Sequence, residues 1–144
     1  MSLSIEVVTD VTGEVLAAFD RLLPQLSSTA KPLDRAALAR TVSCESNTVL
    51  IARDGVEIVG SLTLVMFPLP TGQRAWVEDV VVDRAARGKG VGAALTEEAV
   101  RLARLGGART LDLTTRPSRE AANRLYVRQG FQLRESQVYR HPLG

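Results

Sequence analysis

Arg87-Gly88-Lys89-Gly90-Val91-Gly92 is the stretch that decides the fold, because it connects a β-branched run to a helical pattern. A helix N-terminus carries unpaired backbone N–H groups and a partial positive charge, so it is a natural site for an anion. The glycines allow the backbone to approach a ligand closely, and Arg87 and Lys89 add positive charge beside it. The stretch therefore predicts a turn that binds a pyrophosphate. The alternative is a glycine turn that only permits close packing.

Two other phosphate-binding motifs were compared with this turn. The sequence contains no Gly-x-x-x-x-Gly-Lys-Ser/Thr string, which excludes a P-loop. The dinucleotide-binding pattern Gly-x-Gly-x-x-Gly/Ala is matched from Gly88 to Ala93, and Asp112 follows at about the expected distance. Asp112, however, lies between Leu111 and Leu113 inside a predicted strand rather than at its end. A dinucleotide site therefore stays an alternative.

The apolar periodicity on either side of the turn predicts alternating strands and helices. Strands are predicted at residues 3–8, 48–53, 56–67, 74–83, 111–113, 131–133 and 137–140. Helices are predicted from residue 15 to a bend or end at Pro24, after Asp34, at 91–105, and from a cap at Ser118 to about Gln129. Asp54-Gly55 is typical of a tight hairpin turn, which makes its flanking strands antiparallel, whereas the strands around the helix at 91–105 should be parallel. The sequence thus predicts an α/β fold with a mixed, mostly antiparallel central sheet and flanking helices.

Length and charge limit the classes of protein and partner. The 144 residues fall within the usual size of one domain, so 1–144 is predicted to be a single domain. The 18 basic and 16 acidic residues give a net charge of +2, and the arginines are spread along the chain, which argues against a nucleic-acid partner. Arg84, Arg87 and Lys89, in contrast, lie close together and suit a small polyphosphate.

Cys44 is the only cysteine, so the sequence excludes an intramolecular disulfide and a metal site built from cysteines. No metal is predicted. A reducing, cytoplasmic location is expected. No apolar stretch approaches the roughly 20 residues that span a bilayer, and the start of the chain lacks the pattern of a signal peptide. We therefore expect neither export nor a membrane location.

A second motif, Asn123-Arg124-Leu125-Tyr126, lies on the last predicted helix and is followed by Gly130-Phe131. Together with the glycine turn, and in this order, these residues resemble the GNAT superfamily of acyl-CoA-dependent N-acetyltransferases. The signature of that family is Arg/Gln-x-x-Gly-x-Gly/Ala after the fourth strand and a later Asn-x-x-Tyr helix. The predicted order of elements also matches the fold of that family, so the resemblance covers nearly the whole chain. It implies acetyl-CoA as the co-substrate and an amine as the acceptor.

The resemblance implies a role for each matched segment. The turn would hold the CoA pyrophosphate through Arg87, Gly88, Lys89, Gly90, Val91, Gly92 and Ala93. Val80, Val81 and Val82 would lie along the pantetheine arm. The backbone of Val80 and Val82 would pair with that arm as with another strand, and the Val80 N–H would polarise the acetyl carbonyl. Asn123 would hydrogen-bond the pantetheine region and Tyr126 would protonate the leaving thiolate, unless Tyr126 is simply a core aromatic residue.

The reaction also needs a base, since an alkyl ammonium with a pKa of about 10 is not a nucleophile until it loses a proton. Glu78 and Asp79 are the candidates, and we expect Glu78 to act directly or through water. In a regular strand Glu78 shares a face with Val80 while Asp79 points the other way, and a β-bulge would reverse this arrangement. Alternatively, the carboxylates pair with neighbouring arginines such as Arg74 or Arg116.

The sequence therefore predicts direct acetyl transfer in a ternary complex with a primary amine, on a small molecule or a peptide. No covalent enzyme intermediate is expected, since no nucleophilic pair is evident. A CoA-binding sensor module without turnover stays an alternative. Residues 27–32 and 68–74 should shape the acceptor site, but they carry no pattern that identifies the acceptor. The last two predicted strands offer an edge through which a homodimer could form.

Overall fold

A five-stranded sheet forms the centre of the computed structural model, which describes residues 2–144 and leaves Met1 of the predicted domain outside. The strands are β1 (Leu3–Val7), β2 (Asn47–Asp54), β3 (Glu57–Leu69), β4 (Gly72–Val82) and β5 (Leu111–Asp112). They lie side by side in sequence order, with antiparallel pairing from β1 to β4 and parallel pairing of β4 with β5. The predicted α/β fold with a mixed, mostly antiparallel sheet is confirmed.

Residues 2–144 also contain four α-helices and one short 3₁₀ turn. The helices are α1 (Gly13–Leu26), α2 (Arg35–Ser43), α3 (Val91–Leu105) and α4 (Glu120–Arg128), and the 3₁₀ turn is Arg84–Ala86. Asp34 caps α2 as predicted, because its Oδ1 accepts a hydrogen bond of 2.7 Å from the backbone N–H of Ala37. Pro24 does not end α1, which continues to Leu26. A proline this close to the end of a helix removes only one of the last hydrogen bonds.

The first hairpin turn is shifted by one residue from its predicted position, and the second is tighter than the sequence predicts. Gly55 has the only positive φ of its turn, 62°, and Asp54 is still part of β2. Pro68 lies inside β3 rather than in the next turn. The pairing of β3 with β2 ends at Val65. Because Pro68 comes after this point, its missing N–H interrupts no hydrogen bond to β2.

The two faces of the sheet are covered by different helices. On the first face, here named the α3 face, Leu62 and Leu64 of β3 pack with Val91 and Leu95 of α3. On the opposite face, here named the α1–α2 face, the sheet packs against α1 and α2. The residues of the second cluster include Val15, Phe19, Leu22, Leu38, Ile51, Ile58 and Val81. Each fully buried side chain of this size stabilises the fold by about 1.5–3 kcal/mol.

The chain divides into two compact units, Met1–Leu113 and Thr114–Gly144. The first contains the sheet with α1 to α3, and the second contains α4 and the C-terminal segment. Within the second unit, the predicted strands at 131–133 and 137–140 are wrong, since no strand is present in Thr114–Gly144. Their apolar side chains, such as Leu133 and Tyr139, are exposed instead. The sheet edge on which the homodimer prediction depended is therefore missing.

The start of α4 also differs from the prediction. Arg119, not Ser118, is the N-cap residue, and it makes no side-chain capping bond. Glu120 supplies an acidic residue in the first turn, where a negative charge is favourable. Gly130, with a φ of 95°, follows the helix and ends it as predicted.

Candidate active site

A β-bulge interrupts β4 in the middle of its acidic segment. The pairing of β4 with β3 shifts register, so that Asp79 and Val80 together lie opposite the single residue Leu62. Asp79 has a φ of 51° and is the only non-glycine residue among 2–144 with a positive φ. Aspartate adopts this left-handed conformation more readily than most residues do, which makes it suitable for the extra position of a bulge.

The bulge reverses the faces of the side chains that follow it. Before the bulge, Val77 packs on the α3 face; after it, Val80 and Val82 pack there, and Val81 packs on the α1–α2 face. Glu78 directly follows Val77 in regular strand geometry, so it lies on the α1–α2 face. The expectation from a regular strand, that Glu78 shares a face with Val80, is wrong because the bulge adds one residue between them.

Glu78 and Asp79 are both exposed. Among residues 2–113, neither carboxylate forms an ion pair, so the alternative in which Arg74 neutralises them has no support in this unit. A carboxylate without a cationic partner keeps its lone pairs available for a proton. The chemistry of a general base is therefore open to either residue.

One side of β4 loses its strand neighbour near the bulge. β4 pairs with β5 only at Ala75 and Trp76, whereas its pairing with β3 continues to Val82. Within residues 2–113, the segment from Val77 to Val82 thus has a strand neighbour on one side only. An extended ligand can pair with such a backbone edge as an added strand.

The glycine turn follows β4 and the 3₁₀ turn and leads directly into α3. Gly88 and Gly90 have φ values of 79° and 81°, which only glycine adopts without strain. Gly90 is the N-cap residue of α3 and provides no side-chain capping bond. Arg87 and Lys89 are exposed beside it. The N-terminal end of α3, two flexible glycines and two cations therefore lie together, which is the composition of an anion site.

Gly60 is a residue of this region that the sequence analysis missed. A Cβ atom on Gly60 would lie 2.9 Å from Cγ1 of Val91 and 3.0 Å from the carbonyl oxygen of Val81. The absence of a side chain at this point of β3 thus lets the first turn of α3 approach the sheet closely. An isolated glycine within the β-branched run of β3 is the signal that could have revealed it.

In the second unit, Asn123 is hydrogen-bonded to its own segment. Its Nδ2 donates to the carbonyl oxygens of Arg116 at 2.9 Å and Arg119 at 2.7 Å. These bonds use both amide hydrogens to hold the approach to α4. The predicted contact of Asn123 with pantetheine stays a prediction, and it would have to use the amide oxygen.

Tyr126 is buried, with 9% of its surface exposed. Its ring meets the ring of Phe131 edge to face, with a centroid distance of 5.7 Å and an interplanar angle of 64°. Burial raises the pKa of the Tyr126 hydroxyl above its usual value of 10.0, and the charge of Arg119 acts weakly in the opposite direction. The phenol therefore keeps its proton at neutral pH. Both sequence interpretations, a proton donor and a core aromatic residue, agree with this environment.

None of the helices within 2–144 is long and apolar enough to cross a membrane. The same residues contain no group of three or more His, Cys, Asp or Glu side chains that could hold a metal ion.

Asp112 is the last residue of β5, so the expectation that it lies inside its strand is wrong, and the dinucleotide alternative has to be judged by the sheet topology. Asp112 is paired with Trp76 in a sheet whose first four strands are antiparallel. A dinucleotide-binding unit is built on a parallel sheet, with its acidic residue at a strand end. The topology therefore does not fit the dinucleotide alternative.

Solved structures share this fold over almost the whole chain. A transcriptional regulator from Bacillus halodurans C-125 is 27% identical, with a TM-score of 0.79, and the match covers 96% of this chain and 99% of that chain. A ribosomal-protein-alanine N-acetyltransferase from Brucella melitensis biovar Abortus 2308 is 22% identical, with a TM-score of 0.78 and coverage of 99% and 100%. AAC(6')-Iy, in complex with the bisubstrate analogue CoA-S-monomethyl-acetylneamine, is 17% identical, with a TM-score of 0.80 and coverage of 100% of both chains.

One protein-family model matches the chain over the segments that contain the motifs. A search of curated proteins found no match. The model of the acetyltransferase (GNAT) family matches residues 16–131, which include most of α1, the whole of β4, the glycine turn and α4. Because this match covers most of the chain, the protein belongs to the GNAT family of acetyltransferases.

Proposed function

We propose that this protein transfers the acetyl group of acetyl-CoA to a primary amine, on a small molecule or a peptide, by direct attack within a ternary complex. The observation that carries the proposal is the course of β4. Among residues 2–113, the edge of β4 that has no strand neighbour begins near Glu78, and the chain then runs through the 3₁₀ turn Arg84–Ala86 into the glycine turn before α3. One continuous segment thus offers a base, an edge for an extended ligand and an anion site.

The residues of this segment fit the parts of acetyl-CoA. The backbone from Arg87 to Ala93 would hold the pyrophosphate at the N-terminus of α3, with the side chains of Arg87 and Lys89 adding charge. Charge-assisted hydrogen bonds of this kind each contribute about 1.5–3 kcal/mol. The backbone of Val80 to Val82 would pair with the pantetheine arm.

The proposed mechanism assigns a role in proton transfer or charge stabilisation to three residues. Glu78 accepts the proton of the substrate ammonium, directly or through water, which frees the nitrogen lone pair to attack the acetyl carbonyl. The N–H of Val80 stabilises the negative charge that develops on the carbonyl oxygen. As the new C–N bond forms and the C–S bond breaks, Tyr126 donates a proton to the leaving thiolate. The nitrogen releases its second proton to solvent, and Tyr126 regains a proton from solvent. The high pKa of a buried phenol suits a donor that must stay protonated until this step.

The bulge separates the two reactants in this scheme. By the alternation of its neighbours, Glu78 lies on the α1–α2 face of the sheet, whereas the glycine turn leads into α3 on the other face. The amine would therefore approach from the α1–α2 face and acetyl-CoA along the edge toward α3. The complex of AAC(6')-Iy with a CoA bisubstrate analogue supports a direct transfer on this fold.

A second candidate function is a CoA-binding sensor module without turnover. It is favoured by the similarity to a transcriptional regulator, which is 27% identical over nearly the same length. Both candidates treat the chain as a single domain, which is supported by a family match that runs from residue 16 to residue 131. A cytoplasmic location, a metal-free site and a homodimer stay predictions.

A CoA-release assay over a panel of amines tests the proposal. The panel should contain peptides with an N-terminal alanine, lysine peptides, polyamines and aminoglycosides, and calorimetry should first establish whether acetyl-CoA binds. We expect binding and turnover with at least one class of amine, and a loss of turnover in Tyr126→Phe. Binding without turnover across the panel would favour the sensor, and a failure to bind acetyl-CoA would exclude both candidates.

A further inference from the structure

Two side chains of α1 hold the segment that leads into the glycine turn. Nε of Arg21 donates a hydrogen bond of 3.2 Å to Oδ2 of Asp83, the residue that follows β4. Oε1 of Gln25 accepts a hydrogen bond of 2.8 Å from the backbone N–H of Arg84. Since Arg21 and Gln25 are one helical turn apart, a single face of α1 fixes two consecutive residues of this segment.

The segment is also fixed by the sheet and by the core. The backbone N–H of Asp83 donates to the carbonyl oxygen of Val59 in β3 at 2.8 Å, and Oδ1 of Asp83 accepts from the N–H of Ala85 at 3.1 Å. Ala86, at the end of the 3₁₀ turn, is buried in the cluster of the α3 face. The hydrogen bond from Ala85, together with those from Arg21 and Gln25, lowers the pKa of Asp83, so its side chain stays a charged acceptor.

The glycine turn itself has no comparable support. A Cβ atom built on Gly88 or Gly90 meets nothing within 4 Å, so neither glycine is packed against a neighbour. The direction of such a turn depends on its two ends, because glycine alone restricts the backbone least. One end is Val91, which is 1% exposed at the start of α3, and the other is the segment from Asp83 to Ala86.

We propose that Arg21 and Gln25 are positioning residues for acetyl-CoA, because they fix the segment Asp83 to Ala86 and thereby direct the backbone of the glycine turn toward the pyrophosphate. This inference rests on the proposed function. Neither residue needs to touch acetyl-CoA. The helix that borders the proposed acceptor face thus also sets the geometry of the cofactor turn.

The chain offers a matched control at the other end of α1. Arg53 of β2 forms ion pairs of 2.8 Å with Glu6 and with Glu14, and so holds the start of α1 to the sheet. Like Arg21, it joins α1 to another element through a guanidinium group. Unlike Arg21, it has no bond to the segment before the glycine turn. A general loosening of α1 should therefore appear in both variants, but a misdirected turn should appear only in the Arg21 and Gln25 variants.

The test compares Arg21→Met, Gln25→Met and their double variant with Arg53→Met. Each hydrogen bond lost from the segment Asp83 to Ala86 should raise the Kd and the KM for acetyl-CoA by about threefold to tenfold. This is the change expected when the net free energy of one hydrogen bond is lost. The kcat at saturating acetyl-CoA and the KM for the amine should not change. In Arg53→Met the midpoint of urea unfolding should fall without a change in that Kd.

The outcomes separate this inference from the proposed function. If wild-type protein does not bind acetyl-CoA by calorimetry, the proposed function fails. If wild-type protein binds and the Arg21 and Gln25 variants bind equally well, only the positioning role fails. A rise in Kd of the same size in Arg53→Met would also overturn it, because the effect would then come from α1 as a whole. Arg21 is exposed, so Arg21→Met alone keeps the test informative if the double variant does not fold.

Discussion

Glu78 and Val80 lie on opposite faces of β4, although a single residue separates them. In a regular strand, residues two apart share a face. Asp79 breaks this rule by taking a φ of 51° and adding a position that β3 does not match. The residue proposed as the base and the residue whose N–H is proposed to stabilise the oxyanion are thus two positions apart, with their side chains on opposite faces of the sheet. A regular strand would place both side chains on the same face.

The first prediction concerns the identity of the base. Glu78→Gln should lower kcat by about 10²- to 10⁴-fold, the usual contribution of a general base, without changing the Kd for acetyl-CoA. Stopped assays of CoA release at saturating substrates measure this effect. Asp79→Asn is the matched control, because it removes a neighbouring exposed carboxylate. A large loss in Asp79→Asn with near wild-type rates in Glu78→Gln would assign the base to Asp79 instead.

The bulge itself can be tested by substitution of Asp79. Asp79→Gly should keep the free energy of unfolding near the wild-type value, since glycine adopts a positive φ without strain. Asp79→Val should lower it by about 1–2 kcal/mol, because a β-branched side chain is disfavoured in the left-handed region. Urea unfolding gives both values. Equal stability of the two variants would mean that the bulge does not require the left-handed conformation.

Features that depend on neighbouring residues were predictable from the sequence. The hairpin at Gly55 and the cap at Asp34 are local, and the structure contains both, with the hairpin turn one residue later than predicted. The glycine turn before α3 is local as well, since Gly88 and Gly90 supply the conformations that it needs.

Features that depend on distant partners were not predictable. The bulge at Asp79 is defined by its pairing with β3, and the role of Gly60 depends on the approach of α3. The segment 131–140 has the composition of strands, but a strand also needs a neighbour to pair with, which sequence composition does not reveal. Ser118 has a side chain suited to a cap, yet the backbone turns into a helix only after Arg119.

Gly60 should tolerate no side chain. Gly60→Ala would bring a Cβ atom to 2.9 Å from Val91 and 3.0 Å from the backbone of Val81, which is closer than packed atoms allow. Overpacking of this kind lowers the free energy of unfolding by about 1–3 kcal/mol, and the shift of α3 should also weaken acetyl-CoA binding. Gly13→Ala is the control, because that position has open space and should be neutral or stabilising. Urea unfolding and calorimetry of both variants check the prediction, and wild-type behaviour of Gly60→Ala would contradict it.

Tyr126 should make the stability of the protein depend on pH in alkaline solution. Burial raises the pKa of its hydroxyl, so the unfolded chain loses this proton near pH 10.0 while the folded chain still holds it. The contribution of this pKa difference to the free energy of unfolding is fully present below pH 10.0, and it is lost as the pH rises through the pKa of the folded state. Tyr126→Phe removes the titrating group, so its free energy of unfolding should decline less above pH 10.0 than that of the wild type. Tyr139→Phe, which removes an 89% exposed tyrosine, should keep the wild-type decline. Urea titrations across this pH range measure the difference, and an identical decline in wild type and Tyr126→Phe would show that the phenol ionises as freely in the folded protein as in the unfolded chain.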